Sequence, residues 1–361
     1  MKDQSTALDF SGEDIYVGMD VHLNSWTVSI YTAHLEHKTF RQDPLPEVLM
    51  RYLRRHFPGA LYHGVYEAGY CGFWIYEALK EAGMEMMVIN AADVPTTDRE
   101  RTYKHDAVDS RKLARSLRSG ELRPIYVPSP EAVADRQLVR TRGRLISKQT
   151  RVKNQIKAMV RHFGITFPEE FARRHWSAPF IAWLQELAGQ GMQHRSASLA
   201  LGLLLDELLS LRLQILEVTR AIRTLSRSDH YRDHVDHLLT IEGIGIVSAM
   251  VLMTELVDMN RFRTFDSLAS FVGLVPGKHA SGDSDPSQSL TNRRCAQLRY
   301  ILIESAWVAA RRDTRLTQDF ERLVKRMKKT NAIIRIARKQ LSRIRYVLKN
   351  DLPYVPQPLA A

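Results

Sequence analysis

The chain has 361 residues, enough for two or three domains, and its 44% apolar and 25% charged residues fit a soluble globular protein. A formal net charge of +12 favours a polyanionic partner, because basic surface attracts phosphate backbones. Two cysteines, Cys71 and Cys295, exclude a disulfide framework and a cysteine-rich zinc site.

The polar opening MKDQSTALDFSGED does not read as a signal peptide. Residues 15–33 alternate apolar and polar positions around a Leu-Asn-Ser turn, a β-hairpin pattern, and HKTFRQD adds an edge strand. An amphipathic helix (LPEVLMRYLRRHF), a strand (LYHGVYEAG), a helix closed by Gly83 and a strand (EMMVINAADV) follow. The helix KHDAVDSRKLARSL comes next. Two or three antiparallel strands, then strands alternating with helices, is the order of a ribonuclease-H-like α/β fold.

From residue 131 the text turns helical and basic. Leu138, Leu145, Val152 and Met159 recur by sevens. Between Arg136 and Arg161 lie Arg140, Arg142, Arg144, Lys148, Arg151, Lys153 and Lys157, with no acid in the run. Such a helix gains no i,i+4 ion pairs of its own, so Arg140, Arg144, Lys148, Arg151, Lys153, Lys157 and Arg161 are candidate phosphate contacts.

A second long helix begins near residue 198. Leu201, Leu204, Leu208, Leu211, Ile215, Val218, Ile222 and Leu225 alternate threes and fours, the seam of a left-handed coiled coil. Its partner is either the basic helix or another subunit. Asp206 and Glu207 interrupt the leucine run before it reaches the roughly 20 apolar residues of a membrane span. A cytoplasmic protein with no membrane partner is expected.

In LLTIEGIGIVSAMVLMTEL, Gly243 and Gly245 flank an isoleucine between helical runs. This resembles a helix-hairpin-helix element, whose amides meet a phosphate, although a plain helix-helix turn gives the same pattern. A Ser-rich loop between two helices and a basic helix, KRMKKTNAIIRIARKQLSRIRYVLKN, complete the chain before a Pro-containing tail. The domains are therefore expected at 1–130, 131–232 (helical coiled coil) and 233–350, with a tail at 351–361.

The acidic residues suggest the chemistry. Asp20 closes one strand, Glu67 closes another, and Asp106 and Asp109 share one face at the head of a helix. Four carboxylates gathered at a sheet edge repel unless protons or cations intervene. Mg²⁺ takes oxygen ligands and leaves positions for water and phosphate, and two such ions roughly 4 Å apart can stabilise both the attacking and leaving oxygens of a phosphoryl transfer. Helix capping by Asp106 and a dipole interaction of Asp109 would explain either residue alone, but not the joint placement. His22, His63 and His105 read as structural, and Trp26 and Trp74 as core aromatics.

The segments VGMDVH, GVYEAG, KHDAVDSRKLA, RTRGRLISKQTRVKNQIKAMV, GIGIVSAMVLMTEL, FVGLVPGKHASG and LTNRRCAQLRYILIESAW occur in that order. Together they resemble the IS110 family of insertion-sequence transposases, the bridge-RNA-guided recombinases, over about residues 15–350. The resemblance implies a RuvC-like domain holding Mg²⁺, or Mn²⁺, on Asp20, Glu67, Asp106 and Asp109. It also implies a second domain whose serine, here Ser281 in PGKHASG, attacks DNA and forms a phosphoserine link. A serine hydroxyl needs a base or a metal to activate it. After that glycine the chain reads DSDPSQSLTNRR, where family members more often carry basic and glycine residues. Lys104 matches a basic position of the family and is a candidate phosphate contact. Element and target DNA, a noncoding guide RNA and a dimeric or tetrameric assembly are the implied partners. A RuvC-like junction nuclease that only hydrolyses would need the carboxylates but not Ser281. An actin-like ATPase would need a phosphate-binding glycine turn that is not evident.

Overall fold

The computed structural model describes residues 9–94, 105–171, 176–277 and 290–356. The chain divides into two compact units, Met1–Val127 and Pro128–Ala361.

The first unit is a mixed sheet with helices on both faces. Its elements are β1 (Asp14–Val21), β2 (Trp26–Tyr31), β3 (Glu36–Gln42), α1 (Pro46–His56), β4 (Leu61–Glu67), α2 (Trp74–Glu81), β5 (Glu85–Ile89) and α3 (Asp106–Arg118). The five strands lie in the order β3-β2-β1-β4-β5. β1, β2 and β3 pair antiparallel, whereas β1, β4 and β5 run parallel. The two-residue period of a strand separates the faces. Ile15, Val17 and Met19 point with Trp26, Val28 and Ile30 to a core closed by Leu49 and Leu53 of α1 and Ile75 and Leu79 of α2.

The opposite face carries α3. Val65 and Ile89 pack there on Leu113, and Ser29 Oγ meets Ser110 Oγ at 2.8 Å in a buried hydrogen bond. The close approach depends on Gly18: a Cβ there would lie 2.2 Å from the Ser110 carbonyl oxygen and 2.3 Å from the Ala114 nitrogen. Trp26 is fully buried, but Trp74 is half exposed. The expectation of a core Trp74 fails because it is the first residue of α2, at the end of the helix rather than along its inward stripe.

The second unit is helical: α4 (Pro130–His162), α5 (Ala178–Glu186), α6 (Arg195–Leu225), α7 (Arg232–Leu239), α8 (Ile246–Leu256), α9 (Phe265–Val272), α10 (Ala296–Arg312), α11 (Thr314–Val324) and α12 (Lys329–Asn350). Ser129 caps α4 by accepting from the Ala132 amide at 3.2 Å, and Pro130 occupies the first turn, where no intrahelical amide is lost. Val152, Ile156 and Val160 of α4 pack on Leu201, Leu205, Leu208 and Leu211 of α6, so the two long helices are partners within one chain. The leucine seam drifts from its expected line. Leu205 is buried while Leu204, Ile215 and Leu225 are only half buried, as a straight 3.6-residue helix would drift from a 3.5-residue repeat. The remaining helices close a second core around Leu252, Leu302, Ile336 and Leu341. Burying each such side chain contributes about 1.5–3 kcal/mol. Among the described residues no helix is long and apolar enough to cross a membrane.

Candidate functional site

Strand register explains how distant acids meet. Asp20 lies two residues after Gly18 and therefore on the face that α3 covers. Asp106 lies one turn before Ser110, the residue that touches Gly18. The helix thus runs back along β1 and delivers its first turn to the strand's end. Glu67 ends β4, and the parallel pairing of Gly18 with Val65 puts it at the same sheet edge.

Asp20, His22 and Asp106 each offer a ligand atom, all within 4.8 Å of one another. His22 Nε2 lies 3.3 Å from Asp20 Oδ2, and its Nδ1 lies 3.3 Å from the Tyr70 hydroxyl. The Leu23 amide donates to that same hydroxyl at 3.2 Å, so Tyr70 ties the turn after β1 to the turn after β4. Burial pushes the Asp20 carboxyl above the usual carboxylate range. His22 opposes this, and the charges of Asp106 and Asp109 reinforce it. A crowded, partly desolvated set of acids beside an imidazole suits a divalent cation.

The tight group therefore takes in Asp20 and Asp106 of the expected set. Among the described residues Glu67 and Asp109 stand outside that 4.8 Å group, both half buried nearby. His22, expected to be structural, is inside it. Its signal in the sequence was the i,i+2 spacing from Asp20, which repeats the strand's face at the turn. Tyr70 had no such signal. His63 is structural, bridging Asp14 at 2.8 Å and Glu85 at 2.9 Å. Lys104 and Ser281 lie outside the described residues.

The basic helix divides into two kinds of residue. Arg144, Lys148, Arg151 and Arg161 are exposed. Arg140 departs from the expected phosphate contact: its guanidinium donates twice to Glu255, at 2.6 and 2.8 Å. Glu255 is only 3% exposed, so the acid that the run lacks is supplied by α8. Lys153 and Lys157 stand 5.6 and 5.7 Å over the Trp176 ring. Burial lowers the Lys153 ammonium from its usual range, with Arg212 and Lys157 adding to the effect.

Gly243 has a packing role besides the expected one. It has φ of +88° and abuts the Ser305 carbonyl of α10, where a Cβ would lie at 2.6 Å. Its missing side chain thus serves packing, whereas Gly245 precedes α8 and has open space.

Two family models match the chain. A transposase model of the DEDD type covers residues 17–165, and the model "Transposase IS116/IS110/IS902 family" covers residues 235–321. The Sinorhizobium fredii protein y4rJ is 28% identical over 93% of this chain and 92% of its own length. A second Sinorhizobium fredii protein, y4qE, is 28% identical over 67% of this chain, which spans 57% of that relative. The transposase for insertion sequence element IS1533 of Leptospira borgpetersenii is 25% identical over 81% of this chain and 84% of its own. With the matched regions taking in both the carboxylate edge and the helical second unit, the chain belongs to the IS116/IS110/IS902 family of transposases and is a DNA-recombining enzyme of that kind.

Proposed function

We propose that the chain cuts and rejoins DNA strands at the ends of an insertion sequence, with a RuvC-like first unit and a serine nucleophile in the second. The observation that carries the reading is the meeting of Asp20, His22 and Asp106 at the C-terminal edge of β1. Asp20, Glu67, Asp106 and Asp109 would hold Mg²⁺ ions, two in number, with Mn²⁺ as a substitute. A divalent ion in such a set neutralises phosphate charge and acidifies a coordinated hydroxyl.

The chain's own groups have distinct tasks. Asp106 and Asp109 bring negative charge on a rigid helix, and Gly18 fixes how near that helix comes. His22, steadied by Tyr70, orients the Asp20 carboxylate. Attack by the Ser281 hydroxyl would form an O–P bond, lose the serine proton and release one strand hydroxyl, which takes up a proton. The reverse attack by another strand's hydroxyl would restore Ser281 and rejoin the DNA without ATP, because the phosphodiester energy is kept in the covalent link.

The exposed cations of α4 and a noncoding guide RNA complete the proposal. Arg144, Lys148, Arg151 and Arg161 would hold nucleic-acid backbones while base pairing selects the sequence. Assembly as a dimer or tetramer in the cytoplasm, and α4 and α6 acting as a coiled coil, belong to the same reading.

The test is strand joining by purified protein with its co-purifying RNA and Mg²⁺. Asp20→Asn and Asp106→Asn should each lower cleavage by more than about 100-fold, beyond what second-shell changes cost. Ser281→Ala should leave no covalent protein–DNA adduct. Full cleavage by both carboxylate variants would remove the metal site, and undiminished joining by the serine variant would leave a purely carboxylate chemistry.

A further inference from the structure

A groove of about 960 Å³ lies in the second unit, between α9 and the α11–α12 pair, at the upper end of the volumes that enclose a small ligand. Its floor is apolar: Phe265, Leu274, Val275, Leu323, Met327 and Ile334. It is also basic: among the described residues Arg322, Arg326, Arg335, Arg338 and Lys339 line it with two acids, Asp266 and Asp319.

The pairing of those charges leaves a definite remainder. Arg322 and Lys339 both engage Asp319. Arg338 donates to the Leu274 carbonyl at 2.8 Å, reaches Asp266 at 3.4 Å and stands 5.2 Å over the Phe265 ring. Among the described residues, Arg326 and Arg335 pair with no acid. Both are exposed, one after α11 and one in α12, and both line the groove.

Uncompensated arginines above an apolar floor call for a ligand that carries phosphates and exposes flat apolar faces. A duplex hides its base faces, and a separated strand presents them. The groove wall also includes Pro276 and Leu290, which bridge to each other and bracket the segment containing Ser281. We propose that this groove holds a short run of unpaired DNA, its phosphates on Arg326 and Arg335 and its bases against Phe265, Leu323 and Met327. The assignment to DNA rests on the strand-joining reading above.

The test is binding, not catalysis. Full-length protein in EDTA is titrated into fluorescent oligothymidylate and into a duplex, as wild type and as the Arg326→Ala/Arg335→Ala double variant. The variant should bind oligothymidylate about tenfold more weakly. Its salt slope should be shallower by about 1.4, because each single-strand phosphate contact contributes about 0.7. Duplex affinity should change far less. Where alanine lowers the melting temperature, Arg326→Gln/Arg335→Gln keeps side-chain bulk and should give the same result. Unchanged oligothymidylate affinity in a folded variant overturns the proposal, and an equal loss on duplex overturns the unpaired strand. A wild-type preference for oligouridylate that the variant loses would reassign the groove to RNA. A changed sedimentation coefficient with binding intact would make it a protein interface. Because no metal or strand joining is involved, these outcomes are separate from those of Ser281→Ala.

Discussion

Asp20 sits where burial and two neighbouring carboxylates work against its ionised form. Its folded value lies above that of the unfolded chain. The native state therefore keeps a proton that the unfolded state has lost, and metal-free stability falls as pH rises through that window. Asp20→Asn should remove this slope, raising the melting temperature of the metal-free protein at neutral pH while abolishing strand cleavage. Asp106→Asn should move the Asp20 midpoint toward acid, which carbonyl NMR of labelled aspartate can read. An unmoved midpoint would mean that Asp106 does not bear on Asp20. On the proposed reading proton and cation compete for this carboxylate, so Mn²⁺ affinity should weaken as pH falls through its midpoint.

Among elements, α3 is the one on which the site depends. Gly18→Ala puts a methyl 2.2 Å from the Ser110 carbonyl oxygen, a backbone contact that no side-chain rotation relieves. It should cost about 1–3 kcal/mol in overpacking. Because Asp106 rides on the displaced helix, Mn²⁺ affinity by titration calorimetry should fall along with the melting temperature. Retained affinity in a destabilised variant would separate the helix from the site. In the second unit, Glu255→Ala should cost about 1–3 kcal/mol in chemical denaturation, because it removes both hydrogen bonds of the partly exposed Arg140 guanidinium. Replacing both residues by leucine and methionine should recover most of that loss.

The fold was legible where a pattern was local. Alternation in residues 15–33 marks the hairpin, and the apolar stripe of PEVLMRYLRRH marks α1. The acids at Asp20 and Asp106 were legible too, each at the end of an element that the pattern defined. What escaped depends on contacts distant in sequence. No spacing links Arg140 to Glu255, 115 residues away, or Tyr70 to His22. The aromatic cluster of Phe167, Phe171, Phe180 and Trp183 has no period, so α5 carried no signal. Gly243 shows that one residue type can serve a phosphate or a neighbouring helix, and only its surroundings decide.

At the scale of the whole molecule, the 52 lysines and arginines are unevenly used. Some are neutralised inside the fold, Arg140 by Glu255 and Arg343 by Asp313 at 2.6 Å. The remainder, on α4 and around the groove, is available to backbones. Lys148→Ala and Arg151→Ala should each reduce the duplex salt slope by about 0.9 with little change in sequence preference. Arg140→Ala should instead lower stability and leave that slope nearly intact. Equal slopes for all three variants would show that α4 does not track a backbone.

Trp176 holds a left-handed backbone, φ +70°, beneath two lysine ammoniums. An indole so covered is a built-in optical probe. If a polyanion draws Lys153 and Lys157 off the ring, the emission of Trp176 should shift, and Trp176→Phe should remove that part of the response while Trp26, Trp74, Trp183 and Trp307 still emit. Loading of the long helices could thus be followed in real time without a dye.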